Sequence, residues 1–157
     1  ATVHEERRLV DHSREELFDV VADVGSYASF LPWCERSLVH QSNQDNTESR
    51  AELQVGFRGI SERYISKVSA QRPTSIEVNA VDSDLFEELR STWHLQTGPR
   101  EGQCWVTFRV EFKFKSAMYN QVASLFLDDV VKKMIQAFES RCKALASQGG
   151  KGSGVPA

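Results

Sequence analysis

A chain of 157 residues with 40% hydrophobic and 26% charged residues can bury one core, and no Pro/Gly-rich linker divides it. Its formal net charge of -3 argues against a dedicated nucleic-acid binder, and no run approaches the ~18 apolar residues of a membrane-spanning helix. Three widely separated cysteines without a C-x-x-C pair argue against a zinc or dithiol site.

Two short helices are predicted near the start of the chain. Ser13 and Glu16 have the spacing of a capping box, in which hydroxyl and carboxylate each satisfy an unpaired backbone N–H. The apolar stripe that follows predicts a helix that Gly25 ends. Ser26 is expected to cap a second, shorter helix that ends near Pro32. These helices separate the first strand from the rest of the sheet.

Period-2 alternation predicts one strand before the helices and about six after them, or six to seven in all. The longest alternation, Trp105 to Lys115, places apolar residues on one side and polar residues on the other. Short connections predict an antiparallel meander. The first strand is Val3–Val10, later strands include Ala51–Phe57 and Tyr64–Ala70, and turns are expected at Gly56–Ile60, Arg72–Ser75, Asp82–Asp84 and Gly98–Gly102.

A long helix is predicted from Ala117 to Ala146, so the chain is of the α+β class with segregated elements. Its apolar stripe is wide, because residues such as Val131 and Ile135 add to the three- and four-residue spacing. The surplus predicts a second apolar neighbour, which could be a lipid-like molecule, a membrane surface or another subunit. We expect one domain over residues 1–148 and a flexible tail over 149–157. The chain begins with Ala rather than Met, as it would after loss of a targeting segment or after trimming for expression, so its start does not indicate a compartment.

Catalytic motifs are scarce in the sequence. It contains no Gly-rich phosphate loop, no G-x-S-x-G elbow and no metal-ligand spacing. The four histidines are scattered, and the acidic pairs are adjacent in sequence, so their side chains point apart. We therefore expect a protein that is not an enzyme and uses no catalytic cofactor or metal.

Large apolar residues occupy positions where loops are expected. The run Phe30–Cys34 follows the second helix, Phe57 and Ile60 flank one predicted hairpin turn, and Phe86 follows another. Polar residues are more usual at such turns. These side chains could wall a ligand pocket, touch a membrane, or fold back onto the core.

Three segments carry a resemblance to a known family: Phe18–Val24, Phe30–Ser37 and Phe112–Ala123. Together they resemble the mitochondrial coenzyme Q-binding family of the polyketide cyclase/START-like (helix-grip) superfamily. The resemblance covers about Glu5 to Ala146, and the Pro-Trp-Cys-x-Arg-Ser cluster is its specific part. It implies a curved antiparallel sheet of about six to seven strands around a long C-terminal helix. A hydrophobic tunnel between them would accept ubiquinone or a late biosynthetic intermediate.

The resemblance also implies positions for the ligand-binding residues. Donors to the quinone carbonyls are expected to be Arg36, Tyr64 and Tyr119. The tunnel floor is expected to hold Val106, Phe108, Val110 and Phe112, its roof Phe126, Val130, Met134 and Phe138, and one end Phe30, Leu31, Pro32 and Trp33. The remaining expected contacts are Val55, Phe57, Phe86, Trp93 and Val122.

A carrier function follows from this resemblance. The protein would bind and deliver ubiquinone without catalysis, in support of respiratory electron transport and quinone biosynthesis. It would lie peripherally on the matrix side of the mitochondrial inner membrane and meet respiratory complexes or biosynthetic enzymes, with no nucleic-acid partner. Two alternatives stay open at this point: a cyclase-like enzyme on a hydrophobic substrate, and an interaction module for ribosomes or respiratory complexes.

Overall fold

The computed structural model describes the backbone of residues 2–57 and 59–154, with side chains except those of Phe57, Ile60, 122–127 and 148–154. A strand, a helix and a short 3₁₀ helix precede six strands and a final helix. In chain order these are β1 (Thr2–Val10), α1 (Arg14–Ala22), the 3₁₀ helix (Val24–Ser29), β2 (Cys34–Ser42), β3 (Glu48–Phe57), β4 (Ile60–Gln71), β5 (Ser75–Ser83), β6 (Phe86–Thr97), β7 (Cys104–Phe114) and α2 (Ala117–Gly154).

The seven strands form one curved antiparallel sheet in the order β1-β7-β6-β5-β4-β3-β2. Strands β2 to β7 form a meander, and β1 closes the order by pairing with β7. Helix α2 lies against one side of this sheet, called here the inner face, and packs mainly against α1, β1 and β7. The predicted helix-grip architecture is confirmed.

Strand β7 shows why the period-2 pattern was informative. Val106, Phe108, Val110 and Phe112 are buried, whereas the residues between them are half-buried or exposed. Successive side chains of a strand point to opposite faces, so this alternation places the apolar set on the inner face. The β3–β4 hairpin also matches the prediction, with Gly59 at φ +85°, a left-handed conformation that favours glycine.

The predicted capping box of α1 is confirmed. The backbone N–H of Glu16 donates to Ser13 Oγ at 3.1 Å, and the N–H of Ser13 donates to the Glu16 carboxylate at 3.4 Å. Two residues thereby satisfy N–H groups that the first helical turn leaves without partners. This cap sets where the chain turns from β1 into the helical layer.

The second helix differs from its prediction in two respects. Helix α1 ends at Ala22, and Gly25 lies inside the 3₁₀ helix instead of ending α1. That 3₁₀ helix ends at Ser29, and Ser26 is not its N-cap. The reason is tertiary: the Ser37 hydroxyl of β2 donates to the carbonyl of Gly25 and accepts from the N–H of Ala28, fixing this segment to the sheet.

Helix α2 is longer than predicted. It spans Ala117–Gly154, about 57 Å at 1.5 Å per residue. The tail predicted over 149–157 thus overlaps the last turns of α2, whereas 155–157 lie outside the described residues. The boundary between domain and tail stays a prediction.

Polar side-chain contacts join the edge strand β1 to α2. Arg8 Nη1 lies 3.0 Å from the Glu139 carboxylate, and His4 Nδ1 lies 3.1 Å from the Asp128 carboxylate. Glu6 also approaches Arg8, at 3.6 Å. Sequence reasoning missed this seam, because it treated the histidines as isolated surface residues. The seam ties α2 to the β1 side of the sheet.

Candidate functional site

The candidate site is the inner face of the sheet beneath α2. All four predicted floor residues of β7 lie there and are buried. Trp93 of β6 faces Phe108 across the strand pairing, and Ile76 of β5 faces Trp93. The predicted floor is therefore assembled as a continuous apolar surface across three strands.

Aromatic rings fill the space between this floor and the C-terminal half of α2. Phe138 is 2% exposed, and its ring lies 5.0 Å from Trp93, 5.3 Å from Tyr27 and 5.3 Å from Phe30, measured between centroids. Trp93 in turn lies 4.7 Å from Phe108. These are contact distances for aromatic pairs and leave no room for a ligand between the rings. The sequence analysis assigned four of these residues to the tunnel, but in the structure they pack as part of the core: Phe30, Trp93, Phe108 and Phe138.

The buried face of α2 is rotated relative to the predicted roof. Val131, Ile135, Phe138 and Cys142 are each 2% exposed, whereas Val130 and Met134 are half-buried. The four buried residues follow the three- and four-residue spacing of one helical face. Because α2 also packs against α1, the second apolar neighbour lies within the chain along this half of the helix.

A second aromatic cluster lies where β7 passes into α2. Phe86 stacks on Phe114 at 4.8 Å and meets Tyr64 edge-on at 5.6 Å. Phe114 also contacts Phe112 and Tyr119, at 5.5 and 6.1 Å. The structure therefore brings together four residues that the sequence analysis assigned to the ligand: Tyr64, Phe86, Phe112 and Tyr119.

Asn120 fixes the start of α2 beside this cluster. Its side-chain amide donates to the carbonyl of Phe114 at 3.0 Å, and its side-chain oxygen accepts from the Phe114 N–H at 2.8 Å. One side chain thus satisfies both backbone groups at the end of β7. Sequence reasoning missed Asn120, since a polar residue near a helix start gives no signal of this pairing.

The loop before β2 contributes less than expected. Leu31 and Cys34 are buried, Trp33 is half-buried and Pro32 is exposed. Arg36, predicted as a donor to the quinone, points away from the site. A bulge between Cys34 and Arg36 shifts the register, so that Ser37 is buried and Arg36 is exposed on the outer face.

Small side chains form a lane across the middle of the inner face. Ser66 of β4 pairs in register with Ala51 of β3 on one side and Ala80 of β5 on the other. Ser66 and Ala51 are both 0% exposed. Tyr64 follows on the same face towards the second aromatic cluster. This lane lies between the cluster around Phe138 and the cluster around Phe86.

Other predicted contacts are only partly placed. Val55 is half-buried on the inner face of β3, next to Leu53 of the core. The side chains of Phe57, Val122 and Phe126 lie outside the described residues. Their assignment to the ligand stays a prediction.

The buried tyrosine and cysteine side chains carry no charge at neutral pH. Burial raises the pKa of the Tyr27 and Tyr64 hydroxyls above the ordinary tyrosine value, and the Tyr27 hydroxyl donates a hydrogen bond to the carbonyl of Val21. Burial also raises the pKa of Cys104 to about 11 and that of Cys142 to about 12. A neutral thiol is a poor nucleophile and a poor metal ligand. No group of three or more metal-ligating side chains occurs within the described part of the chain.

Two clefts open on the surface away from this lane. One, of about 290 Å³, lies between α1 and the end of α2 and is lined by residues such as Asp19, Phe30 and Arg141. The other, about 620 Å³, lies at the β2–β3 hairpin and is lined by residues such as Gln41, Asn43 and Arg50. Among the described residues, no helix combines the length and apolar character needed to cross a bilayer.

Comparison with known proteins agrees with this geometry. The family described as polyketide cyclase / dehydrase and lipid transport matches residues 10–139. Among solved structures, a START superfamily protein from Mycobacterium smegmatis superposes with a TM-score of 0.81, covering 92% of this chain and 99% of that one. At 17% identity, this likeness supports the fold alone.

Relatives of two kinds are similar over most of the chain. The "Coenzyme Q-binding protein COQ10 homolog B, mitochondrial" of Xenopus laevis is 39% identical over 140 residues, 88% of this chain and 57% of that relative. The "Ribosome association toxin RatA" of Rickettsia prowazekii is 33% identical over 87% of this chain and 92% of its own length. The chain thus spans little more than half of the first relative. The resemblance found in the sequence is confirmed: the chain belongs to the polyketide cyclase / dehydrase and lipid transport family, with coenzyme Q-binding proteins among its relatives.

Proposed function

We propose that this protein binds and transfers coenzyme Q, or a late intermediate of its biosynthesis, between α2 and the inner face of the sheet. The names of relatives that are 29–39% identical support a quinone ligand. In this role the protein shields an insoluble molecule from water and does not alter it. Respiratory electron transport and quinone biosynthesis would both draw on such a carrier.

The way α2 sits on the sheet carries this proposal. The backbone of α2 comes close to the backbone of α1, β1 and β7. The inner faces of β3 and β4 are nevertheless buried, for example at Ala51, Leu53 and Ser66. Because neither helix backbone approaches β3 and β4 as α2 approaches β1 and β7, side chains supply most of the cover over these two strands. Side chains change rotamer far more easily than backbone moves, so this half can open for a ligand while the Phe138 cluster stays closed.

The chemistry of the inner face suits an isoprenoid quinone. Burial of apolar surface contributes about 25 cal/mol per Å² before the costs of association. The part of the floor beyond the Phe138 cluster, Val110 and Phe112, supplies such surface, and the rings of Phe86 and Phe114 supply more. A quinone head group needs few hydrogen bonds beyond this.

The state of the interior groups supports a binding role over a catalytic one. Tyrosine and cysteine side chains are protonated at neutral pH, and burial moves the pKa of Tyr64, Cys104 and Cys142 further above it. General acid–base catalysis works best with a group whose pKa lies near the operating pH. The family description also includes cyclases. A cyclase-like reaction on a hydrophobic substrate is therefore the alternative that the experiment below must separate.

The proposed location is the matrix side of the mitochondrial inner membrane, as a peripheral protein. The word mitochondrial in the names of the coenzyme Q-binding relatives supports the organelle. Met118, 66% exposed at the start of α2, and the nearby exposed Lys115 give the second aromatic cluster an apolar and cationic rim. Such a rim suits contact with an anionic membrane surface. Respiratory complexes or biosynthetic enzymes are the proposed recipients.

The similarity to ribosome association toxins keeps a second candidate open, since the chain covers 92% of one of them. The outer face of β2 to β4 bears Arg36, Arg50, Arg63 and Lys67. Its cations are interleaved with acids, and Glu52 lies 3.1 Å from His40 and 3.8 Å from Arg63. Because the basic charge is partly neutralised within the protein, we rank ribosome binding second. Co-sedimentation with ribosomes in moderate salt tests it.

Extraction tests the carrier proposal. The protein purified from its native source is extracted with organic solvent, and the extract is analysed by mass spectrometry. We expect the extract to contain a quinone or a quinone precursor. We also expect that a quinone incubated with the protein is recovered unchanged. An extract without quinone contradicts the proposal, and conversion of an added quinone into a new product favours the enzyme alternative.

A further inference from the structure

Ser66 has a buried hydroxyl without a partner. The residue is 0% exposed, and its Oγ makes no hydrogen bond to any part of the chain that the structure describes. The other buried unpaired atoms belong to Glu6, Arg14 and Gln103. The second polar atom of Glu6 and of Gln103 finds a partner, and Arg14 Nε lies 3.6 Å from the Glu15 carboxylate. Ser66 has one polar group on its side chain, and that group is unpaired.

The neighbours of Ser66 on the sheet cannot supply a partner. Ala51 and Ala80 flank it in register, and each contributes only a methyl group to the inner face. An unpaired hydroxyl in an apolar interior is unfavourable, and alanine would fill this place without that penalty. Because both flanking side chains are single methyl groups, the sheet itself offers little steric obstruction to a flat ring beside the hydroxyl.

Along β4, Ser66 lies between the two aromatic clusters. In one direction along β4, the next residues on the inner face are Val68 and Ala70. Ala70 pairs with Ile76, which pairs with Trp93 of the Phe138 cluster. In the other direction lies Tyr64, which contacts Phe86 near the start of α2. A ligand that enters past Tyr64 and Phe86 therefore meets Ser66 before the Phe138 cluster stops it.

We infer that Ser66 donates a hydrogen bond to a carbonyl oxygen of the bound quinone and thereby sets the ligand's direction. The head group lies on the lane between Ala51 and Ala80, and the isoprenoid tail leaves past Tyr64 and Phe86. This inference rests on the proposed function. It adds which end of the ligand is innermost and which side chain recognises it.

The test compares two probes of nearly equal shape. Decylubiquinone carries both quinone carbonyls. The second probe is a decylbenzene with the same methoxy and methyl substituents on its ring but no carbonyls. Binding of each is measured by quenching of tryptophan fluorescence, in the wild type and in Ser66→Ala. We expect Ser66→Ala to weaken decylubiquinone binding about five- to tenfold, the range of one neutral hydrogen bond, and to leave binding of the carbonyl-free probe unchanged.

Controls separate recognition from folding. Ser69→Ala makes the same substitution on the outer face of the same strand and should change neither affinity. Ser66→Cys keeps nearly the same volume with a weak donor and should lose affinity as Ser66→Ala does. Thermal melts of each variant report folding. In the infrared spectrum, one carbonyl stretch of the bound quinone should move to higher frequency when Ser66 is replaced.

The outcomes distinguish the two proposals. If Ser66→Ala and Ser66→Cys bind decylubiquinone as tightly as the wild type, the Ser66 inference is wrong and the carrier function stands. Equal losses for both probes also overturn the inference, since they indicate damage to the pocket and not a lost hydrogen bond. If the wild type binds neither probe, the proposed function fails and the inference fails with it.

Discussion

The ring of Phe138 on α2 meets that of Trp93 on β6 nearly edge-on, with centroids 5.0 Å apart and planes at 74°. This contact closes one half of the space between the helix and the sheet. It also joins three layers, because Phe138 reaches Tyr27 of the 3₁₀ helix as well. The ligand space that we propose therefore begins where this contact ends.

Phe138→Ala should destabilise the fold strongly. Removal of a fully buried phenylalanine costs about 3 to 5 kcal/mol, because apolar contacts are lost and a cavity is left. The free energy of unfolding from urea denaturation measures this. Met118→Ala, at a side chain that is 66% exposed, is the control and should change stability by less than about 0.5 kcal/mol. If Phe138→Ala changed the free energy of unfolding only slightly, the cluster around Phe138 would not be part of the core.

Ala80→Leu should block the ligand while the protein stays folded. The larger side chain would occupy the lane beside Ser66, and overpacking of this kind costs about 1 to 3 kcal/mol of stability. We expect affinity for decylubiquinone to fall by more than tenfold, as measured by fluorescence quenching. Val81→Leu, at the exposed neighbouring residue, is the matched control. Unchanged affinity in Ala80→Leu would place the head group elsewhere.

The ion pair between Arg8 and Glu139 should contribute to stability more than a surface pair does. Both side chains are less than one third exposed, at 27% and 31%. A double-mutant cycle with Arg8→Ala and Glu139→Ala should give a coupling energy of about 1 to 2 kcal/mol, between the surface and buried cases. The Lys133–Asp129 pair on α2, with both side chains more than 60% exposed, should give less than about 0.5 kcal/mol. Equal coupling in the two cycles would contradict a role for the seam in fixing α2.

Stability should fall as pH rises above 9. Burial raises the pKa of Cys104 from 9.0 to about 11 and that of Cys142 to about 12. The unfolded chain therefore releases these protons near pH 9, while the folded protein keeps them until pH 11 to 12. Over that interval the unfolded state binds fewer protons, so the free energy of unfolding decreases by up to about 1.4 kcal/mol per pH unit for each thiol.

Urea denaturation at pH 8, 9 and 10 measures this dependence. Cys104→Ala and Cys142→Ala should each have a shallower slope than the wild type, because each removes one of the thiols. Below pH 8 the slopes of all three proteins should agree. A wild-type stability that is flat or rises between pH 9 and 10 contradicts burial of protonated thiols.

Strand patterns were more informative than the helix pattern in this chain. A strand has two faces, so alternation in β7 was enough to assign Val106 to Phe112 to the inner face. Helix α2 is apolar around much of its circumference, so spacing alone did not determine its rotation. The structure buries Val131 and Ile135 where the sequence analysis favoured Val130 and Met134.

Features that depend on long-range pairing were not predictable from the sequence. The bulge in β2 turned Arg36 to the outer face, and nothing local to Arg36 signals it. The seam between β1 and α2 joins residues such as Arg8 and Glu139, 131 positions apart. Ser66 gave no signal either, because a serine in a strand is ordinary until its neighbours prove to be alanines and its hydroxyl proves to be unpaired.

Photo-crosslinking with an azido-quinone tests the central claim most directly, because it reports where on the chain the ligand lies. After irradiation and digestion, mass spectrometry identifies the labelled peptides. We predict label on the inner-face segments of β3 to β5 and on the first half of α2, with protection by excess decylubiquinone. Label confined to the cleft between α1 and the end of α2, or to surface residues without protection, would contradict a ligand bound between α2 and the sheet.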